Sequence, residues 1–437
     1  MHTLEDLREG RLSGARRVSL RLGLERFPEE LYALADSLEE LDLSGNHLST
    51  LPKDFGRLSR LKAAFFYGNA FEDLPPQLAD CPSLDVYGFR DNAITRLDGH
   101  WWPERLRWLI LTGNRLTELP SEIGRLRRLQ KLMLAGNRLE ALPDAMAGCS
   151  GLELVRLASN RLADLPGWLV ELPRLAWLAY AGNPLPEALT GPARRPEVPR
   201  VPHSDLAVGE MLGEGTSGLI HRARWRRPDG EHFVAVKVFK GELTSDGTPD
   251  DELLASMVAG AHEHLVSVLG EVKDHPEGKK ALVLDLIPHS HEIMAGPPSL
   301  ATCTRDTYPP ERRFTVEVTR RLALGVASAA AHLHARGVLH GDLYPHNTLL
   351  DAHGYCKVSD FGAASFYERT HPRFGAGLER LEVRAFGCLL EDALERLEEG
   401  GEETAEREKL ESLRQACMSP ATGERPSFEE IGEALAG

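Results

Sequence analysis

Paired cysteines, long apolar runs and an excess of positive charge are all missing from this sequence. Its six cysteines include no CxxC pair, which disfavours a disulfide framework or a zinc site and indicates a reducing compartment. No apolar run approaches the ~18 residues of a membrane span. The net charge of −15 argues against binding to nucleic acid or anionic membranes, which depends on clustered Lys and Arg. We therefore expect a cytoplasmic protein with no membrane span and no nucleic-acid partner.

An asparagine recurs every 22 or 23 residues through the first half of the 437-residue chain. The repeated positions are Asn46, Asn69, Asn92, Asn114, Asn137, Asn160 and Asn183. The fuller copies, such as LRWLILTGNRLTELP, resemble leucine-rich repeats in both pattern and length. The alternating leucines would point into a core from a short strand, while the asparagine would satisfy backbone groups in the turn that follows. The pattern predicts an α/β leucine-rich-repeat solenoid over residues 1–189.

Large apolar side chains occupy positions that leave the predicted repeat strands toward solvent. They are Phe65, Tyr67, Trp108, Ile110, Met133 and Trp177. An apolar patch of this kind on a protein surface is typical of a binding site. We expect this concave face to bind a partner protein. The alternative is that the second half of the same chain covers it.

The repeat ends after Asn183 in the proline-rich sequence PLPEALTGPARRPEVPRVPH. Its prolines disfavour a core helix and favour a stiff, extended connector. We therefore expect a linker at residues 190–204 and a separate domain at residues 205–437, since a chain of this length exceeds one ordinary core. The Ala-, Arg- and Leu-rich composition suggests a bacterial source.

Several motifs follow one another in the second half. They are GEGTSG at 213–218, VAVK ending at Lys237, HGDLYPHN at 340–347 and KVSDFG at 357–362. A strand, not the helix of a dinucleotide-binding fold, is predicted after the glycines. In this order the motifs resemble a protein kinase domain of the eukaryotic type, closest to the tyrosine-kinase-like serine/threonine kinases. The resemblance implies an α+β two-lobed fold, ATP and Mg²⁺ as cofactors, and phosphate transfer to Ser or Thr of a protein substrate or of the chain itself.

The same resemblance implies a nucleotide site around Lys237. This lysine would contact the α and β phosphates. Glu252 would hold it from the following helix, with Asp251 as the second choice. The other implied nucleotide contacts, in the glycine loop, the adenine pocket and the hinge, are Leu212, Gly213, Gly215, Gly218, Ile220, Ala235, Asp285, Ile287 and Leu349.

Three further residues are implied to carry the chemistry. Asp360 would bind the Mg²⁺ that bridges the phosphates, and Asn347 would hold the second metal position. Asp342 would orient the acceptor hydroxyl and accept its proton. Together with Lys237 and Glu252, they form the predicted catalytic set.

The sequence departs from the kinase pattern near these residues. Gly341 stands where regulated kinases have Arg, so switching through a phosphorylated activation loop is not expected. Tyr344 stands where serine/threonine kinases have Lys, which removes a positive charge near the γ phosphate. The segment after Asp360 lacks A-P-E and runs directly into a helix that carries Glu382 where Asp is usual. We expect an abbreviated peptide-docking surface.

Two other functions are compatible with these departures. A pseudokinase scaffold would keep the fold and use the repeats to bind a partner, although the retained catalytic set argues against it. A small-molecule phosphotransferase is the second alternative, because HGDLYPHN also resembles the HGDLHPGN loop of aminoglycoside and choline-type enzymes. The intact glycine loop, DFG and GERPSF favour the protein kinase.

Overall fold

The chain forms two compact units. The computed structural model describes residues 2–194, 196–215, 217–244, 246–398 and 404–436. The repeat unit contains the residues up to Leu175 together with Ser299–Thr304, and the second unit contains Ala176–Pro298 and the residues from Arg305 onward. Within the described ranges, no helix has both the length and the apolar character needed to cross a membrane.

The repeat unit is built on short parallel strands. A helix, α1 (Leu4–Arg8), precedes β1 (Arg17–Ser19), β2 (Glu40–Asp42), β3 (Ala63–Phe65), β4 (Val86–Gly88), β5 (Trp108–Ile110), β6 (Lys131–Met133) and β7 (Leu154–Arg156). Each strand pairs in parallel with the next. Short 3₁₀ turns, such as Ser121–Arg125 and Asp144–Gly148, follow the Leu-Pro steps. The predicted α/β repeat is confirmed.

The recurring asparagines connect each repeat to its neighbour. The side-chain amide of Asn137 donates to the carbonyl oxygens of Leu111 and Leu134, both at 2.9 Å. Its Oδ1 accepts from the backbone N–H of Leu116 at 3.1 Å. Asn160 makes the corresponding bonds one repeat later. Each asparagine thus links its own repeat to the preceding one and satisfies backbone groups that have no strand partner.

The predicted concave-face residues differ in accessibility. Phe65, Tyr67, Trp108 and Met133 are partly exposed, whereas Ile110 is only 5% exposed. Exposure of Ile110 was expected from the alternation and is not found. The segment Ser299–Thr304, which comes from the second half of the sequence, belongs to this unit: Arg107 Nη2 donates to Leu300 O at 3.1 Å. Thr304 donates its hydroxyl proton to the carboxylate of Glu153.

The second unit begins with one more repeat-type strand, β8 (Trp177–Ala179), and a short helix, α2 (Glu187–Thr190). A mixed sheet follows, formed by β9 (Arg200–Pro202), β10 (Leu206–Glu214), β11 (Gly218–Arg227), β12 (Gly230–Phe239), β13 (Val268–Lys273) and β14 (Ala281–Asp285). Its strand order is β10-β11-β12-β14-β13-β9. Part of the proline-rich stretch is therefore an edge strand: β9 pairs in parallel with β13, and Val201 is buried in the core of the sheet.

The remaining elements of the second unit are mainly helical. They are α3 (Pro249–Ala259), β15 (Glu292–Ile293), α4 (Val316–Ala335), β16 (Val338–Leu339), β17 (Thr348–Leu350), β18 (Cys356–Val358), β19 (Ser365–Phe366), α5 (Gly375–Leu394), α6 (Thr404–Cys417) and α7 (Phe428–Ala436). Helix α5 is largely buried and α4 packs against α5 and α7. Residues 340–347, which we call the catalytic loop, connect β16 to β17. The predicted α+β fold of this half is confirmed.

Candidate active site

A buried lysine on the central strand β12 contacts two carboxylates. Lys237 Nζ lies 2.6 Å from Glu252 Oε1 and 3.3 Å from Asp360 Oδ1. Glu252 reaches the lysine because α3 starts at Pro249, immediately after the N-cap residue Thr248. The second candidate, Asp251, is used elsewhere: its carboxylate accepts the Thr248 hydroxyl at 2.6 Å in a capping box. Of the two acids proposed for Lys237, the structure places Glu252 beside it.

The contacts of Lys237 with two carboxylates shift the pKa of the lysine and of both acids. Burial opposes the charged form of Lys237, but the charges of Asp360 and Glu252 outweigh it and raise its pKa. Burial likewise acts to raise the pKa of Asp360, yet the charge of Lys237 and the Gly362 N–H lower it below the usual range. Burial raises the pKa of Glu252, and Lys237 offsets that only in part. The arrangement keeps a cation and the Asp360 carboxylate charged at neutral pH.

The catalytic loop holds a third acidic residue, Asp342, in a fixed orientation. The side-chain amide of Asn347 donates to Asp342 Oδ2 at 2.7 Å and to Asp342 O at 3.0 Å. Asn347 is in turn anchored through its carbonyl, which accepts from Ser359 N at 2.9 Å and Ser359 Oγ at 3.0 Å. Ser359 precedes Asp360 directly. Asn347 therefore connects Asp342 to Ser359, the residue before Asp360.

Glu382 supports the start of the catalytic loop from helix α5. Its carboxylate accepts from the backbone N–H of Gly341 at 2.7 Å and of His340 at 3.2 Å. His334 Nε2 lies 2.9 Å from the same carboxylate. Burial acts to raise the pKa of Glu382, but the hydrogen bond from His334 and nearby charges lower it. A buried, charged carboxylate therefore fixes two backbone groups of the loop.

Close packing and the backbone conformation explain why position 341 is a glycine. Its φ of +74° lies in the left-handed region that favours glycine. A Cβ on this residue would lie 2.5 Å from the carbonyl oxygen of Ala363 and 2.6 Å from that of Leu178. Both contacts are with backbone atoms, so neither can move aside easily. The usual arginine is excluded here by close backbone approach.

Trp177 corrects one of the expectations for the concave face. The side chain is 2% exposed, and its ring stacks on Tyr344 with centroids 4.1 Å apart and planes 7° apart. Its indole N–H donates to Leu343 O at 3.1 Å. The expectation that Trp177 is exposed to a partner is wrong, because the catalytic loop covers it. Sequence alternation alone could not show this contact, which joins residues 166 positions apart.

The residues expected around the nucleotide lie on neighbouring strands. In the sheet, Gly213 on β10 is opposite Ile220 on β11, and Ile220 is opposite Lys237 on β12. A Cβ on Gly213 or Gly215 would meet nothing within 4 Å, and the absence of a side chain there allows close approach of a ligand to the backbone. The other expected positions are Leu212 on β10, Gly218 on β11, Ala235 on β12, Asp285 at the end of β14, Ile287 beyond it, and Leu349 on β17.

His346 is a residue of this region that the sequence did not single out. Its backbone N–H donates to Asp306 Oδ2 at 2.7 Å, and its Nδ1 lies 2.8 Å from Asp306 Oδ1. Burial favours the neutral ring, but Asp306 and the charge of Asp342 outweigh it and raise the pKa of His346. Its place within the motif HGDLYPHN was the sequence feature that could have pointed to His346.

The oxygen donors suit a hard divalent cation. Asp360 offers a carboxylate, and Asn347 keeps its amide oxygen as an acceptor while its NH₂ group is bonded to Asp342. Mg²⁺ prefers such ligands and commonly completes its shell with substrate phosphates and water. Across the described ranges, no group of three or more His, Cys, Asp or Glu could hold a metal ion by itself. These residues fit a metal that arrives with a phosphorylated ligand.

Comparison with known protein families agrees with this geometry. Residues 206–380 match the family described as protein tyrosine and serine/threonine kinase. Residues 37–58, 104–162 and 127–185 match leucine-rich repeat families.

Individual relatives match less than half of the chain at low identity. Protein STRUBBELIG-RECEPTOR FAMILY 5 of Arabidopsis thaliana is 28% identical over 41% of this chain and 25% of its own length. Serine/threonine-protein kinase PITSLRE of Drosophila melanogaster is 30% identical over 41% of this chain and 18% of its own length. CBL-interacting protein kinase 4 of Oryza sativa subsp. japonica is 33% identical over 43% of this chain and 41% of its own length.

The chain thus spans less than half the length of each of these relatives. All three come from eukaryotes, and none supports the bacterial source suggested by composition. The chain carries leucine-rich repeats and a protein kinase domain, and it is similar to serine/threonine kinases.

Proposed function

We propose that this protein transfers the γ-phosphoryl group of ATP, with Mg²⁺, to serine or threonine of a partner protein or of itself. The observation that carries the proposal is the charged arrangement around Lys237. A buried lysine lies between Glu252 and Asp360, at 2.6 and 3.3 Å. Phosphoryl transfer depends on positioning and charge neutralisation more than on covalent chemistry. This arrangement supplies both.

Each residue of the site has a defined part in the proposed reaction. Lys237 binds the nucleotide phosphates, and Glu252 holds its ammonium group in place. Asp342 accepts a hydrogen bond from the acceptor hydroxyl and takes up its proton, while Asn347 keeps the Asp342 carboxylate oriented through the 2.7 Å bond. When bound, Mg²⁺ neutralises phosphate charge, and the oxygens of Asp360 and Asn347 are the protein ligands that would hold it.

We assign partner binding to the concave face of the repeats. Phe65, Tyr67, Trp108 and Met133 keep part of their side chains exposed. Lys131 Nζ lies over the Trp108 ring, 4.2 Å from its centroid, which adds a positive charge to this apolar surface. A mixed surface of large apolar groups and a cation suits a protein partner. Residues Ser299–Thr304 bond to Arg107 and Glu153, which directly precede strands β5 and β7, and this favours a role for the chain's own second half beside this face as well.

The direct test is phosphate transfer from labelled ATP. We expect the wild type to label itself or added protein in the presence of Mg²⁺, with phosphoserine or phosphothreonine after hydrolysis. Asp342→Asn should abolish transfer while ATP binding, followed by thermal shift, persists. Lys237→Met should weaken both. Asp274→Asn, an exposed acid outside the site, is the matched control and should behave as the wild type.

The same test decides between the alternatives. A wild type that binds ATP but labels nothing would contradict the enzymatic proposal and favour a pseudokinase scaffold. Label that appears on small hydroxylated compounds and never on protein would favour a small-molecule phosphotransferase. The short segment between Asp360 and α5 is the observation that keeps this second candidate in view.

A further inference from the structure

Residues 177–194, which we call the clamp segment, lie along the catalytic loop and the chain that follows Asp360. Trp177 bonds to Leu343 O and stacks on Tyr344. Further along, the backbone N–H of Tyr180 donates to Ser365 Oγ at 2.9 Å, and its hydroxyl donates to Phe366 O at 3.0 Å. The clamp segment therefore contacts both parts of the chain that flank the predicted catalytic aspartates.

The far end of the clamp segment makes a second group of contacts. The backbone N–H of Glu368 donates to Leu189 O at 2.6 Å. Arg194 Nη2 donates to Arg336 O at 3.2 Å, and the Arg194 guanidinium lies 4.7 Å from the centre of the Phe366 ring. These contacts hold β19 and the residues after it, so the segment following Asp360 is fixed by the chain itself.

The hydroxyl groups of that segment show how it is held. Ser365 and Tyr367 are each 1% exposed. Ser365 accepts the bond from Tyr180, and the Tyr367 hydroxyl lies 2.6 Å from His334 Nδ1. Between Asp360 and α5 only Thr370 presents an exposed hydroxyl side chain. Two of the three hydroxyls are thus committed to internal packing and inaccessible to a modifying enzyme.

We propose that the clamp segment holds the catalytic loop in its working arrangement, with Trp177 as the main positioning residue. This rests on the proposed kinase function and adds how the site is kept assembled. Trp177 anchors the carbonyl of Leu343, next to Asp342, while Glu382 anchors the backbone N–H groups of the two residues before Asp342. Leu178 O lies 2.6 Å from the place that a Cβ on Gly341 would occupy. No added phosphate is required for this arrangement.

Trp177 acts through Asp342 and not on the substrate. Its indole N–H and its ring both contact residues that follow Asp342 immediately, so their loss lets the loop shift. A displacement of about 1 Å in a catalytic group can lower a rate by about 100-fold. The contacts of Lys237 with Glu252 and Asp360 are not touched by Trp177. Loss of Trp177 should therefore lower turnover without lowering affinity for ATP.

The experiment compares three variants of the full chain. Trp177→Ala removes both the ring and the N–H, and Trp177→Phe removes the N–H while keeping a ring. Trp102→Ala, a buried tryptophan of the repeat unit, is the matched control. For each, kcat and the KM for ATP are measured, together with hydrogen exchange of peptides that cover residues 338–350. The exchange measurement reports on the loop whether or not phosphate is transferred.

We expect Trp177→Ala to lower kcat about 10- to 100-fold with the KM for ATP within about 2-fold, and to speed exchange in residues 340–347. Trp177→Phe should recover part of both, and Trp102→Ala should change neither. Equal kcat and exchange in the Trp177 and Trp102 variants would overturn the proposal. If Trp177→Ala does not fold, the comparison of Trp177→Phe with wild type decides in the same way. If the wild type transfers no phosphate but Trp177→Ala still speeds exchange in residues 340–347, the clamp is supported and the kinase function is rejected.

Discussion

Replacing Gly341 by alanine probes the reason for the most conspicuous departure of the catalytic loop. The residue has φ +74°, and a Cβ would lie 2.5 and 2.6 Å from two backbone oxygens. The left-handed backbone costs a non-glycine residue about 1 to 2 kcal/mol. Overpacking against atoms that cannot rotate away adds about 1 to 3 kcal/mol. We expect Gly341→Ala to destabilise the second unit by about 2 to 5 kcal/mol.

A second glycine serves as a control that separates the backbone cost from the packing cost. Gly260 also has a positive φ, of +64° with ψ −164°, but a Cβ there meets nothing within 4 Å. Gly260→Ala therefore reports a backbone cost without a packing cost, about 1 to 3 kcal/mol. Both variants are unfolded in urea, and hydrogen exchange is measured in peptides from each unit. Unfolding of the second unit is thereby measured separately from that of the repeats. The midpoint for the second unit should fall further in Gly341→Ala than in Gly260→Ala.

Arginine at position 341 gives the stronger form of the test. Arginine has the same Cβ and a long side chain beyond it, so Gly341→Arg should destabilise the second unit at least as much as alanine and should lower phosphate transfer. A Gly341→Ala variant as stable as Gly260→Ala would refute the packing argument. A stable and more active Gly341→Arg variant would instead support loss of a regulatory switch as the reason for glycine.

Three further outcomes follow from the same contacts. Glu252→Gln should lower phosphate transfer about 10- to 100-fold in a steady-state assay, because the ammonium group of Lys237 loses its closest carboxylate. The pKa of His346 is raised above its ordinary value of 6.5, so the stabilisation it provides is complete below that pH and is lost as pH rises through the folded pKa. Asp306→Asn should therefore cost more stability near about pH 6 than near about pH 9, measured by urea unfolding; equal losses at both would contradict this. Asn137→Ala should destabilise the repeat unit by about 1 to 3 kcal/mol in the same assay, since the Leu116 N–H loses its partner, while the carbonyls of Leu111 and Leu134 keep their bonds from Asn114 and Asn160; a loss below about 0.5 kcal/mol would show that water replaces the missing bond.

Periodicity and motif order predicted the architecture well. Leucines and asparagines at fixed spacing are sufficient to predict parallel strands, because each repeat must bury the same face and satisfy the same turn. The kinase motifs likewise pointed to Lys237, Asn347 and Asp360 as site residues, and the structure places Lys237 beside Asp360 and Asn347 beside Asp342. The predictions of the fold succeed because local patterns and their order are written along the chain.

Choices between adjacent residues needed the structure. The sequence offered both Glu252 and Asp251 for Lys237, and the capping box at Thr248 uses Asp251. The sequence also gave no partner for His346, which lies next to Asp306, 40 residues earlier. In each case the deciding contact depends on where a helix starts or on how distant segments meet.

The amino-acid sequence by itself determined the repeats, the kinase-type fold and the set of charged residues proposed for catalysis. Only the tertiary structure decided what surrounds the catalytic loop. Trp177 has the spacing of an exposed repeat residue, yet it is buried against Tyr344, and Leu178 leaves no room for a side chain at Gly341. Repeat spacing specifies which way a side chain points from its own strand, whereas burial depends on the residues that fold against that strand from far along the chain.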